Sequence, residues 1–200
     1  MKLLKQLSTT KPLSPFGFNQ LKDFNLAGTG KLGRFNSDVD INTFEYQRRP
    51  PREPFVSDHL NFLYKSGYKH LICLDEKDTD IIQTTWKAFQ NTTFTIFEIT
   101  ESTPQETMFN QFKSFCKQVD TKTATNKVCV FCFAGLGRTG TFLAAYVLHN
   151  IINTKPILKN KHDTVETAIN FVRKNYRQEA IEWDWQITLL QNWLNELIPS

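Results

Sequence analysis

The segment that most constrains the fold is Lys127-Val-Cys-Val-Phe131, followed without a break by Cys132-Phe-Ala-Gly-Leu-Gly-Arg-Thr-Gly140 and then by an apolar helix pattern. An uninterrupted β-prone run is what a strand covered on both faces looks like, as in a parallel sheet. A turn of small residues between such a strand and a helix lets backbone N–H groups point at an anion, and phosphate is the natural ligand of that geometry.

Around this unit, strand and helix signals alternate. A short apolar strand is expected around Asn25–Gly28, followed by a stretch from Thr29 to Pro54 that carries turn residues and Pro-rich breaks and reads as loop. Ser57-Asp58 caps a helix carrying Leu60, Phe62, Leu63 and Tyr64, and Gly67 closes it. Strands at His70–Leu74, Thr93–Ile99 and Lys127–Phe131 are separated by helices from about Asp80 to Gln90 and from Pro104 through Met108, Phe112 and Phe115. Helices at about Arg138–Ile152, Asp163–Tyr176 and Asp184–Leu197 follow. The predicted class is α/β, with a central, mostly parallel sheet of four to five strands flanked by helices. Two hundred residues fit one domain; residues 1–20 are expected to form an extension and 21–200 the domain.

Composition narrows the functions. A chain that is 40% hydrophobic and 22% charged is globular rather than disordered or membrane-spanning. Its net charge of +4 suits an anionic substrate but is too small to imply nucleic-acid or membrane partners. Four cysteines are too few for a disulfide scaffold, and no signal-peptide stretch follows the first methionine, so a cytoplasmic monomer is expected.

Six of the eight glycines fall in two G-x-G-x-x-G hexads, Gly28–Gly33 and Gly135–Gly140. A dinucleotide site would need another strand ending in an acidic residue about 20 positions on, and none follows the second hexad. An ATP-binding loop would end in Gly-Lys-Ser/Thr, whereas Gly140 is followed by Thr141 and Phe142. The first hexad, followed by Arg34-Phe35-Asn36-Ser37-Asp38 with no helix for an anion to face, reads as a turn, with Lys31 or Arg34 as possible borders of a cleft.

Cys132 through Thr139 fit Cys-x5-Arg-Thr, which resembles the signature loop of the cysteine-dependent protein tyrosine and dual-specificity phosphatases, especially the compact dual-specificity group. The order of elements from about Leu60 to Trp193 agrees, and Ala168-Ile169, Val172-Arg173 and Ala180-Ile181-Glu182 look like the family's C-terminal helices. The resemblance implies a phosphoprotein phosphatase working through a phosphocysteine intermediate, with a phosphorylated protein as partner and neither metal nor cofactor. A thiol at a helix N-terminus beside a cation is favoured in its nucleophilic form, which suits Cys132. The N–H groups of Phe133, Ala134, Gly135, Leu136, Gly137 and Arg138 would ring the phosphate, and the Arg138 guanidinium can grip two of its oxygens. By similarity, the Thr139 hydroxyl would bond the cysteine sulfur, and Gln186 would position the attacking water. An uncharged Leu136 in mid-loop favours phosphoprotein over polyphosphoinositide.

Other positions depart from the family pattern. Where the family places an aspartate acid, Glu101 is the carboxylate available, 31 residues before Cys132, with Glu98 as the lesser alternative. Phe131 stands where most members have histidine, which makes a catalytically weak module that binds phosphorylated partners the alternative function. Arg48, Arg49 and Arg52 could steer an acidic substrate or simply be a solvated loop. Cys129 and Cys132 form a C-x-x-C pair, but residues three apart on a strand face opposite ways, and His59, His70, His149 and His162 share no ligand spacing. Cys73 is expected to be an inert core thiol, with a reversible disulfide to Cys132 as the alternative that some relatives suggest.

Overall fold

The structure is a computed structural model that describes residues 14–33, 51–75, 77–100, 102–154 and 161–198. Strands β1 (Asn19–Gln20), β2 (Leu26–Thr29), β3 (Tyr68–Cys73), β4 (Thr93–Ile96) and β5 (Lys127–Phe131) form one sheet in the order β1-β2-β5-β3-β4. β1 pairs antiparallel at the edge, and the other four strands are parallel, as their apolar runs predict. The helices are α1 (Glu53–Lys65), α2 (Asp80–Trp86), α3 (Gln105–Thr123), α4 (Gly137–Thr154), α5 (Lys161–Asn175) and α6 (Asp184–Leu197).

Strand alternation divides the core into two layers. Val128 and Val130 of β5 pack with α3, α4, α5 and α6, whereas Cys129 and Phe131 face α1 and α2. Helix α4 is buried along its first three turns because it lies between the sheet and its helical neighbours. β5 is central, so its C-terminal end opens at the middle of the sheet edge, between the ends of β2 and β3. Ligands of open α/β sheets bind at that edge.

Besides the start of α1, which lies at Glu53 with Arg52 as its N-cap rather than at Ser57-Asp58, three features differ from the sequence reading. Residues 14–20 join the domain: β1 pairs with β2, Phe16 O accepts bonds from the Gly30 N–H and the Thr29 hydroxyl, and Phe18 packs edge-on against Phe62 and Tyr68. The polar, proline-punctuated composition of this stretch concealed its aromatic anchors. β4 ends at Ile96 rather than Ile99, since the chain leaves the sheet after the Phe97 N–H to Cys73 O bond and turns over the edge. The third concerns the first glycine hexad, which is more than a turn.

Candidate active site

The loop Cys132–Gly137 joins β5 to α4, and its shape is imposed from outside. The Phe133 carbonyl accepts from the Lys31 N–H at 3.1 Å, Ala134 O from Arg177 at 3.3 Å, Gly135 O from the Tyr176 hydroxyl at 2.5 Å, and Leu136 O from the N–H of Ile181 at 3.4 Å and of Gly140 at 3.0 Å. A peptide's N–H points opposite to its carbonyl, so holding four consecutive carbonyls outward turns the N–H groups of Ala134, Gly135, Leu136 and Gly137 inward. Two of them already have partners: the Gly135 N–H donates to Cys132 Sγ at 3.3 Å and the Gly137 N–H to the Glu182 carboxyl.

The first hexad is the bed of this loop. Gly135 has φ +77°, and a Cβ there would lie 2.6 Å from Gly30 N; a Cβ on Gly30 would lie 3.2 Å from Ala134 O. Gly28 is bare because the Tyr176 ring occupies that space, 2.7 Å from where its Cβ would be, on the way to Gly135 O. The two hexads therefore interlock, each needing the other's missing side chains. His59 of α1 buttresses the first hexad by accepting the Gly33 N–H at 3.0 Å. The expectation of an isolated turn is corrected accordingly.

Lys31 is buried beneath the cleft rather than bordering it. Its Nζ lies 3.2 Å from Asp75 Oδ2 and also donates to the Lys77 carbonyl. Asp75, just past β3, reaches toward Arg138 with 3.7 Å between Oδ1 and Nη1. Arg138 Nη1 donates to Leu74 O at 3.0 Å and to Ile99 O at 2.9 Å, which uses both of its hydrogens and leaves the Nε/Nη2 edge of the guanidinium for a ligand's oxygens.

The cleft holds about 450 Å³ and is lined by Cys132, Phe133, Ala134, Gly137 and Arg138 at its floor. Asp75, Lys77, Glu98, Ile99 and Thr100 form one wall and Glu182, Trp183, Trp185 and Gln186 the other. Gln186 is buried, with Nε2 2.6 Å from where a Gly137 Cβ would stand, and its Oε1 accepts the Trp183 N–H at 3.3 Å. Burial raises the Glu182 carboxyl above the usual carboxylate range, opposed by the nearby Arg177 charge and by the Gly137 N–H. The turn feeding this wall is strained: Ile181 has φ +64°, unusual for a β-branched residue, and Arg173 clamps it through bonds to Ala180 O and Ile181 O.

The structure thus brings Cys132, Phe133, Ala134, Gly137, Arg138 and Gln186 to the lining of one cleft, while Gly135 and Leu136 belong to the same loop without lining it. Thr139 is buried beside them, but Oγ1 has no hydrogen-bond partner among the described residues, so the bond to sulfur implied by the resemblance is not made here. Glu101, Arg48, Arg49 and Arg34 lie outside the described residues, while Arg52 caps α1, its N–H donating to Gly33 O. Phe131 packs into the α1/α2 layer. Cys129 and Cys132 fall in different core layers, and among the described residues no cluster of ligating side chains could hold a metal ion. Burial pushes the Cys73 thiol up to about 12, and its Sγ donates to Asp75 O at 2.9 Å. Sequence reasoning gave no role to Asp75 or Glu182; an acidic residue just past a buried strand was the available signal for the first, and the second was noted only within Ala180-Ile181-Glu182, which lies in the turn before α6 rather than in a helix.

Four parallel strands with a Cys-x5-Arg loop at the end of the central one, packed against a C-terminal helix through Gln186, define the class of cysteine-dependent phosphatase folds. The family described as "PTP-SAK: Swiss Army Knife protein, DSP-PTPase phosphatase domain" matches residues 51–188, and the chain belongs to it. Mouse dual specificity protein phosphatase CDC14A is 27% identical over 128 residues, 63% of this chain and 19% of its own length; the human protein gives the same identity over 20% of its length. The chain thus spans about a fifth of these curated relatives. Among solved structures, a kinase associated phosphatase superposes with a TM-score of 0.62 at 14% identity, covering 94% of this chain and 98% of that one. Tk-PTP in its active form gives 0.60 at 15% identity, covering 90% and 97%. These likenesses bear out the α/β fold read from the sequence.

Proposed function

We propose that this domain is a phosphoprotein phosphatase that hydrolyses phosphate monoesters through a phosphocysteine intermediate. The observation that carries the reading is the outward anchoring of four loop carbonyls, which converges inward-facing N–H groups, the Cys132 sulfur and the Arg138 guanidinium on one cleft. Such a cradle suits three phosphate oxygens, and suits them best as phosphorus becomes five-coordinate.

Cys132 Sγ attacks phosphorus; the S–P bond forms as the ester P–O bond breaks, and the leaving oxygen takes a proton from an acid. We assign that proton to Glu101, which follows the cleft-lining Thr100. Water, positioned by Gln186, then attacks phosphorus as its proton passes to the Glu101 carboxylate left by the first step, and the S–P electrons return to sulfur with the Thr139 hydroxyl as hydrogen-bond donor. Residues 133–138 bind the phosphate throughout. The substrate is a phosphorylated protein, as the uncharged Leu136 supports, and the domain acts as a cytoplasmic monomer without metal, in keeping with its modest charge and sparse cysteines.

Cys132→Ser should abolish turnover of a small aryl phosphate while retaining vanadate binding; full activity in that variant would overturn the mechanism. A module that only binds phosphorylated partners would instead show phosphopeptide affinity without phosphate release from the unaltered protein. Glu101→Gln should lower the rate and remove the loss of rate at high pH that a required acid produces. An unchanged profile would shift the role to Glu98 or Glu182, separable by the same substitution.

A further inference from the structure

Two large apolar side chains stand exposed among the described residues, Trp183 at 57% and Trp185 at 37%, and both line the cleft above Cys132. Exposed tryptophans grouped at one site mark a binding surface more often than chance exposure. They are also held in place. Trp183 donates its N–H to Gln186, which is packed on Gly137 of the loop, and the preceding turn is clamped by Arg173. The two tryptophans therefore line the same cleft as Cys132, on a preorganised segment anchored to the phosphate loop through Gln186.

From this placement we infer that Trp183 and Trp185 form an aromatic subsite that grips the ring of a phosphotyrosyl peptide, making phosphotyrosine the preferred substrate. This rests on the phosphatase reading of the cleft. In phosphotyrosine the ring is bonded directly to the bridging oxygen and must lie in the cleft that these tryptophans line. Phosphoserine offers a single methylene there. A peptide has a path onward: Trp185 is the ridge between the cleft and a second hollow of about 280 Å³ lined in part by Met108 and Leu189.

The test is kcat/KM for matched peptides carrying phosphotyrosine or phosphoserine, with the unaltered protein and its Trp183→Ala, Trp185→Ala and corresponding Phe variants. The unaltered protein should prefer phosphotyrosine at least tenfold. Each Ala substitution should cut that ratio by about tenfold, the scale of an aromatic contact with its buried area, and Phe should largely preserve it. Equal use of both peptides, a ratio unmoved by Ala, or faster turnover of a 5′-phosphorylated oligoribonucleotide would overturn the inference. Affinities of the Cys132→Ser protein for the same two peptides report the preference without turnover. Equal affinities would refute the aromatic subsite, whereas a phosphotyrosine preference with no turnover in the unaltered protein would refute the phosphatase reading and leave the subsite standing.

Discussion

Lys31 and Asp75 show why a site's charges must be read together. A carboxylate in a cleft meant for a phosphate dianion is unfavourable unless it is neutralised, and Asp75 has Lys31 on one side and Arg138 on the other. Lys31→Met removes one partner of a buried pair, which typically costs ~3–5 kcal/mol. It also leaves negative charge facing the substrate, so phosphate should inhibit the variant more weakly. Adding Asp75→Asn should restore most of both losses, as urea unfolding and phosphate inhibition would show; a double variant no better than the single one would contradict this account. At this scale the sequence was informative where residue type and spacing carry chemistry, as for Cys132 and Arg138. It was silent where the partner is distant in the chain: 44 residues separate Lys31 from Asp75, and nothing local to either announces the pair.

Among elements, the interlocked hexads and the strained turn before α6 determine the cradle's shape. Gly135→Ala places a Cβ against backbone at a positive φ, which costs ~1–3 kcal/mol in strain alone and forces the loop off Gly30. Gly137→Ala meets mainly the amide end of Gln186, a side chain able to move. The former should therefore lose both thermal stability and phosphate affinity, whereas the latter should lose kcat with a smaller fall in Tm; calorimetry with steady-state kinetics distinguishes them, and equal falls in Tm would contradict the packing described. The central strand β5 was legible because a buried parallel strand is written as a continuous apolar run, here Val128 to Phe131. β1 was not: two exposed residues carry no pattern, and its pairing depends on Phe16 and Phe18 meeting distant partners. The role of the first hexad was likewise hidden, since its glycines are required by Tyr176 and the second hexad, not by a local turn.

At the scale of the whole molecule, the two core layers clamp the sheet edge from both sides, and α1 adds a pH-dependent element. His59 is buried, and desolvation lowers its pKa from 6.5 to about 4. The unfolded chain therefore binds a proton on this residue that the folded chain refuses between those values. The stability contributed by neutral His59 is complete above about pH 6.5 and is lost progressively as pH falls toward 4, up to about 3 kcal/mol. Urea titrations of the unaltered protein should show a steeper loss over this range than those of His59→Asn, and parallel slopes would contradict the assignment. The α/β class and the helical covering of both faces followed from alternation along the chain; how the loop carbonyls are held did not, because it is a property of five segments assembled.

If the interlocked hexads aim Cys132 at phosphorus, that sulfur carries the phosphoryl group during turnover. Mixing the protein with an aryl phosphate, quenching in acid within a turnover and mapping peptides by mass spectrometry tests it directly. A phosphoryl group on Cys132 and nowhere else is expected; continued turnover with that cysteine unmodified, or the group on another residue, would refute this role for Cys132.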